Sequence, residues 1–117
     1  MQVQINTDRT IDGHKALTAQ IRSVVESALS RISDHITRVE VHLSDENSHK
    51  SSQHDKRCMI EVRIQGRPPV AVTHHAGSLH QAVDGAADKA ARLIDSALGR
   101  AARSVAADQA GERTSSE

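Results

Sequence analysis

Eight histidines, a single cysteine, and fifteen basic against fifteen acidic side chains are what this sequence offers to chemistry. The histidine groupings that invite a metal are His74-His75 with His80, and His54 with Cys58. Zinc needs three or four ligands converging at fixed distances, and no spacing here reproduces a finger or a His-Glu-x-x-His helix. His49 and His54 fall in a polar stretch, His42 falls on the outward side of an alternating run, and His74 and His75, as neighbours in a strand, point to opposite faces. The expectation is no metal site. Cys58 lies at an inward position of another alternating run, where a thiol acts as small core filler and not as a nucleophile beside a base. Neither G-x-x-x-x-G-K nor G-x-G-x-x-G occurs, so the sequence predicts no nucleotide, no cofactor and no small-molecule substrate. With no catalytic residues to name, the chain reads as a binding protein, not an enzyme.

The cations remain. Lys89 and Arg92 sit three apart in a helical stretch, where they either contact phosphates or pair with Asp84, Asp88 or Asp95. Asp88 stands four before Arg92, the spacing of a helical ion pair. Asp55-Lys56-Arg57 with Arg63 and Arg67 read either as one basic edge or as charges guarding turns and sheet margins. Balanced charge gives no general sign of a nucleic-acid binder. There is no Phe, Tyr or Trp. Modes that stack unpaired bases on aromatic rings are therefore excluded, and any contact with nucleic acid must use phosphates, 2′-hydroxyls and shape.

These side chains need a scaffold, and 117 residues suffice for one core. The lone cysteine fits a reducing compartment. The opening Met1-Gln2-Val3-Gln4 lacks the features of a signal peptide, and no apolar run approaches membrane-spanning length. A cytoplasmic chain without membrane contact is expected.

Gln2-Val3-Gln4-Ile5-Asn6 alternates as a strand with one buried face. From about Lys15, Leu17, Ile21, Val24, Val25, Ala28, Leu29 and Ile32 form one stripe along a helix of roughly five turns, with Asp12-Gly13 as turn and cap. Val39, Val41 and Leu43 mark a second strand. Ser44 to Asp55 is a polar loop. Cys58, Ile60, Val62 and Ile64 mark a third strand. A turn at Gly66-Arg67-Pro68-Pro69 then leads to a short fourth strand from Val70 and Val72. Ser78 is the expected N-cap of a second helix with the stripe Leu79, Val83, Ala86, Ala87, Ala90, Leu93, Ile94, Ala97 and Leu98. Gly85 in its middle costs about 1 kcal/mol against Ala, which points to close packing there.

The order is βαβββα: an α+β fold with a four-stranded mixed sheet and two helices packed on one face. Strands one and two are expected parallel through a right-handed crossover, and the other pairs antiparallel. Residues 1–103 make the single domain, and 104–117 a disordered polar tail.

This layout resembles the hibernation-promoting factor and ribosome-associated inhibitor family, in its short form, also called ribosomal subunit interface proteins. The second helix carries most of the likeness. Ser78-Leu79-His80-Gln81-Ala82-Val83-Asp84-Gly85-Ala86-Ala87-Asp88-Lys89-Ala90-Ala91-Arg92-Leu93 is similar to the family's "A-(I/V)-D" step followed by "D-K-(x)2-R", and Arg38-Val39-Glu40-Val41-His42-Leu43 supports it. The resemblance implies a stress-associated, translation-inhibiting factor that binds the decoding region of the small ribosomal subunit through RNA phosphates and shape. It implies RNA-binding roles for Lys89 and Arg92 and, by location, for Arg22, Arg31, Arg100 and Arg103. The end of helix two departs from the family's basic cluster, reading Leu-Gly-Arg-Ala-Ala-Arg. The alternative is a protein-interaction module of the same fold that no longer binds ribosomes and pairs its open sheet face, with His42, Met59, Arg63 and Thr73, against another protein or a second copy.

Overall fold

The computed structural model describes residues 1–7, 14–45 and 56–110, the side chains of residues 14 and 100–110 excepted. Strand β1 spans Gln2–Thr7, helix α1 His14–Ala28, β2 Ile36–Asp45, β3 Lys56–Ile64, β4 Val70–Ala76 and helix α2 Leu79–Ala110. The sheet order is β1-β2-β3-β4. β1 runs parallel to β2, and β3 antiparallel to both β2 and β4, the pairing expected from a helical crossover between the first two strands and turn-linked strands after them.

The inward residues of the central strands are sealed. Val39, Val41, Cys58, Ile60 and Val62 are fully buried, beneath Val25 and Leu29 from the first helical segment and Val83, Ala86, Ala90 and Ile94 from α2. Both helices thus cover one face of the sheet. A core of aliphatic side chains and alanines brings α2 close to the strands, because an alanine face adds little thickness between backbones. Burial holds the Cys58 thiol in its neutral form and pushes its pKa up to about 12.

α2 begins as expected: the Gln81 amide donates to Ser78 Oγ at 3.1 Å, an N-cap bond. The β3–β4 turn closes with the Arg67 amide donating to the Ile64 carbonyl at 3.1 Å, and Gly66 takes φ 75°, a left-handed conformation suited to glycine.

Four details depart from the sequence expectation. The first helix does not reach Ile32 as α-helix: α1 stops at Ala28 and a 3-10 segment, η1, spans Ser30–His35. Ser30 Oγ donates to the Ser27 carbonyl and Ser33 Oγ to the Ser30 carbonyl, each at 3.0 Å, and the Ile32 amide bonds to Leu29 three residues back. Serine hydroxyls that bond nearby carbonyls compete with the α-helical ladder, and the stripe survives because Leu29 and Ile32 still face inward. Second, Ser44 and Asp45 extend β2, and Asp45 pairs with its register partner Lys56 at 3.2 Å. Third, Leu93 is 45 % exposed, while Ala82 is buried in its stead. Fourth, α2 is helical to Ala110, past the domain end expected at Arg103. Asp12-Gly13, the loop at 46–55 with His49 and His54, and tail residues 111–117 lie outside the described residues.

Candidate nucleic-acid interface

The open face of the sheet is built from the outward positions of the four strands. Arg38 and Arg63 are register partners, as are Glu40 and Glu61 in the next row and His42 and Met59 in the one after. Opposite charges therefore alternate along each central strand. The Arg38 guanidinium donates to Glu40 Oε2 at 2.8 Å and also bonds Gln4 Oε1 on β1. His42 Nε2 lies 3.5 Å from Glu40 Oε1. The Arg38 hydrogen bond holds the Glu40 carboxyl below its ordinary value. Desolvation opposes this, and the charges of Arg38, His42 and Arg63 reinforce it. With Met59 and Ala71 the apolar residues among the described outward positions, a dry sheet-to-sheet contact has little to bury.

Of the two readings of the meander's cations, the single basic edge does not form. Lys56 and Arg57 start β3 whereas Arg63 and Arg67 lie at its far end, about 20 Å away at strand spacing. His74 and His75 do face opposite ways: His74 is opposite inward-facing Cys58 and lies beneath α2, and His75 is exposed. No group of three or more potential metal ligands occurs among the described residues.

The four candidate RNA-binding cations whose side chains are described, Lys89, Arg92, Arg22 and Arg31, each have an intramolecular partner. Arg92 Nε lies 3.1 Å from Asp88 Oδ2, the i,i+4 pair the spacing foretold, with both side chains well exposed. Arg31 Nη2 lies 2.9 Å from Asp95 Oδ2, tying η1 to α2. Lys89 Nζ donates to the main-chain carbonyl of Thr73 on β4 at 3.1 Å. Arg22 Nη1 donates to the carbonyl of Val3 on β1 at 2.6 Å, in a half-buried position. Arg22 also lines a shallow groove along α1 with Lys15, Thr18 and Ala19.

What the structure brings together is a line on α2. At 3.6 residues per turn, Lys89 and Arg92 share one side of the helix. The Arg100 and Arg103 backbone positions, eleven and fourteen residues beyond Lys89, return to that side after about three and four turns. Asp84, Asp88 and Asp95 follow a neighbouring line that turns toward η1, as the Arg31–Asp95 pair shows. The helix separates its charges although the chain as a whole balances them. Arg22 and Arg31 stand apart from this line, on α1 and η1. Surface ion pairs such as Arg92–Asp88 contribute about 0–1 kcal/mol, so a phosphate can displace them. Net charge hides this separation, and the spacing of like charges would have revealed it.

The family model described as sigma 54 modulation protein / S30EA ribosomal protein matches residues 10–101. Among solved structures, the chain is similar to the protein Y N-terminal domain of Thermus thermophilus, with a TM-score of 0.58 and 24% identity, covering 80% of this chain and 96% of that one. It is also similar to a ribosomal subunit interface protein from Coxiella burnetii, with a TM-score of 0.63 and 17% identity, covering 85% and 99%. At a stringent threshold no curated protein matches the sequence.

Proposed function

The chain belongs to the sigma 54 modulation protein / S30EA ribosomal protein family, and from that premise we propose that it is a non-enzymatic ribosome-hibernation factor. It binds the small subunit at the decoding region, where it blocks translation by occupancy. The observation that carries this reading is the cationic line on α2. Lys89 and Arg92 sit inside the stretch that matches the family, and the line from Lys89 to Arg103 runs about 21 Å along the helix, enough to follow several phosphates of ribosomal RNA.

Recognition then rests on backbone charge and shape, which suits a chain without aromatic side chains. Its partners are ribosomal RNA and proteins of the small subunit, it needs no cofactor, and it works in the cytoplasm, where ribosomes are. No described helix is long and apolar enough to cross a membrane. Arg31 and Arg22 are secondary contacts on this reading, because they stand on η1 and α1, off the line on α2.

The test is co-sedimentation with separated small and large subunits across a salt series, with a Lys89→Ala/Arg92→Ala variant alongside. Binding to the small subunit should saturate and weaken steeply with salt. Removing two phosphate contacts should lower the slope of log affinity on log salt by roughly 1.5–2. Absence of small-subunit binding at low salt, or a folded variant with unchanged slope, would overturn the proposal.

A further inference from the structure

The sheet's two edges are unguarded by their own sequences. β1 reads QVQINT and β4 reads VAVTHHA: neither has a Lys, Arg, Asp, Glu or Pro, while central β2 and β3 both carry charges of each sign. Sheets usually show the reverse, because a flat, uncharged edge presents main-chain donors and acceptors to any other strand. Nor does a register shift fall in the pairings of the edge strands. The register shift among the described pairings lies at Ile36/Arg38 of β2, inside the sheet. Both edge strands also combine β-branched residues with low charge, the composition that favours intermolecular pairing.

The helices supply what the strands lack. Arg22 of α1 donates to the Val3 carbonyl on β1, and Lys89 of α2 donates to the Thr73 carbonyl on β4. The two contacts are independent, one per helix and one per edge. Each sets a charged head against its edge strand, at the second residue of β1 and at the middle of β4. An incoming strand would have to displace it and strip its water, and would find a carbonyl already occupied.

We propose that Arg22 and Lys89 are edge guards: each helix sends one cation to the nearer rim of the sheet, and together they keep two copies of this chain from pairing edge to edge. Lys89 and Arg22 would serve this role in the free protein, where it is read without ribosomes.

Sedimentation velocity over a wide concentration range tests it. The native chain should stay monomeric, whereas Arg22→Ala/Lys89→Ala should associate as concentration rises, with slower amide exchange in β1 or β4 on association. To separate edge pairing from a loss of fold, Gln2→Lys and Ala71→Lys are added to the double variant, placing charges on the edge strands themselves. Return to monomer supports the proposal. A folded double variant that stays monomeric at every concentration overturns it, and so does association that the strand lysines leave untouched.

Discussion

Gly85 of α2 lies directly over the imidazole of His74 on β4. A β-carbon built on Gly85 would fall 2.6 Å from His74 Cγ and closer still to Cδ2 and Nε2. The glycine is therefore the price of seating a ring between helix and strand, in a layer otherwise made of aliphatic side chains and alanines. It fixes how near α2 comes to β4, and with it where Lys89, one turn further on, meets the Thr73 carbonyl.

The first prediction follows from that seat. An exposed mid-helix Gly→Ala change stabilises by up to about 1 kcal/mol, but Gly85→Ala must push the ring or the helix aside, which costs about 1–3 kcal/mol. Urea unfolding should show a net loss of stability. His74→Ala in the Gly85→Ala background should recover part of it, with a coupling of about 0.5–3 kcal/mol in the double-mutant cycle. A Gly85→Ala variant more stable than the parent would mean that the ring swings clear at little cost.

Cys58 gives the second. Its thiol is fully buried and its pKa is pushed up to about 12, so the folded protein should resist an aromatic disulfide reagent at pH 8 and react only when the chain opens. The sign of the pH dependence follows from the raised value. The neutral thiol's stabilising contribution is fully present below the ordinary thiol pKa. It is lost as pH rises toward 12, because the unfolded chain releases the proton first. Cys58→Ala should remove that alkaline component while lowering stability at neutral pH by about 1 kcal/mol through lost packing. Fast labelling of the native protein would contradict the seal.

The third concerns Glu40, whose carboxyl Arg38 holds below the ordinary range. A depressed carboxyl stabilises the fold above its unfolded-state pKa, and that contribution is lost as pH falls through the lower folded value. Arg38→Met should move the Glu40 titration upward in a side-chain carboxyl NMR experiment, with residual depression from His42 and Arg63. An unmoved titration would show that the Arg38–Glu40 contact does not persist in solution.

How much of this the sequence carried depends on the kind of interaction. Strands with one dry face announce themselves by alternation, and Cys58, Ile60, Val62 and Ile64 were legible as the inward set for that reason. The α2 stripe was legible too, except at Leu93. Helical periodicity groups Leu93 with the core, yet its side of the helix is the one that bears Lys89. The 3-10 segment was hidden because Leu29 and Ile32, three apart, satisfy both helix types, and only the serine-to-carbonyl bonds decide between them. Among the candidate residues, Arg92–Asp88 could be read from its spacing. Arg22 with Val3 and Lys89 with Thr73 could not, since a main-chain carbonyl leaves no mark in the sequence and its nearness is set by tertiary packing.

The last prediction uses that legible pair against itself. If the line on α2 meets RNA phosphates, then Asp88 is an internal competitor that holds Arg92 through a well-exposed contact at 3.1 Å. Asp88→Asn frees Arg92 and removes a negative charge beside the line, so small-subunit affinity at low salt should rise several-fold and the salt dependence should steepen by up to about one unit. Loss of an exposed i,i+4 pair lowers stability by only about 0.3–0.5 kcal/mol, so the fold should survive. A solvated helix face with no RNA partner predicts the same small stability loss and no change in binding. The two outcomes separate a pair kept for folding from one that restrains a phosphate contact.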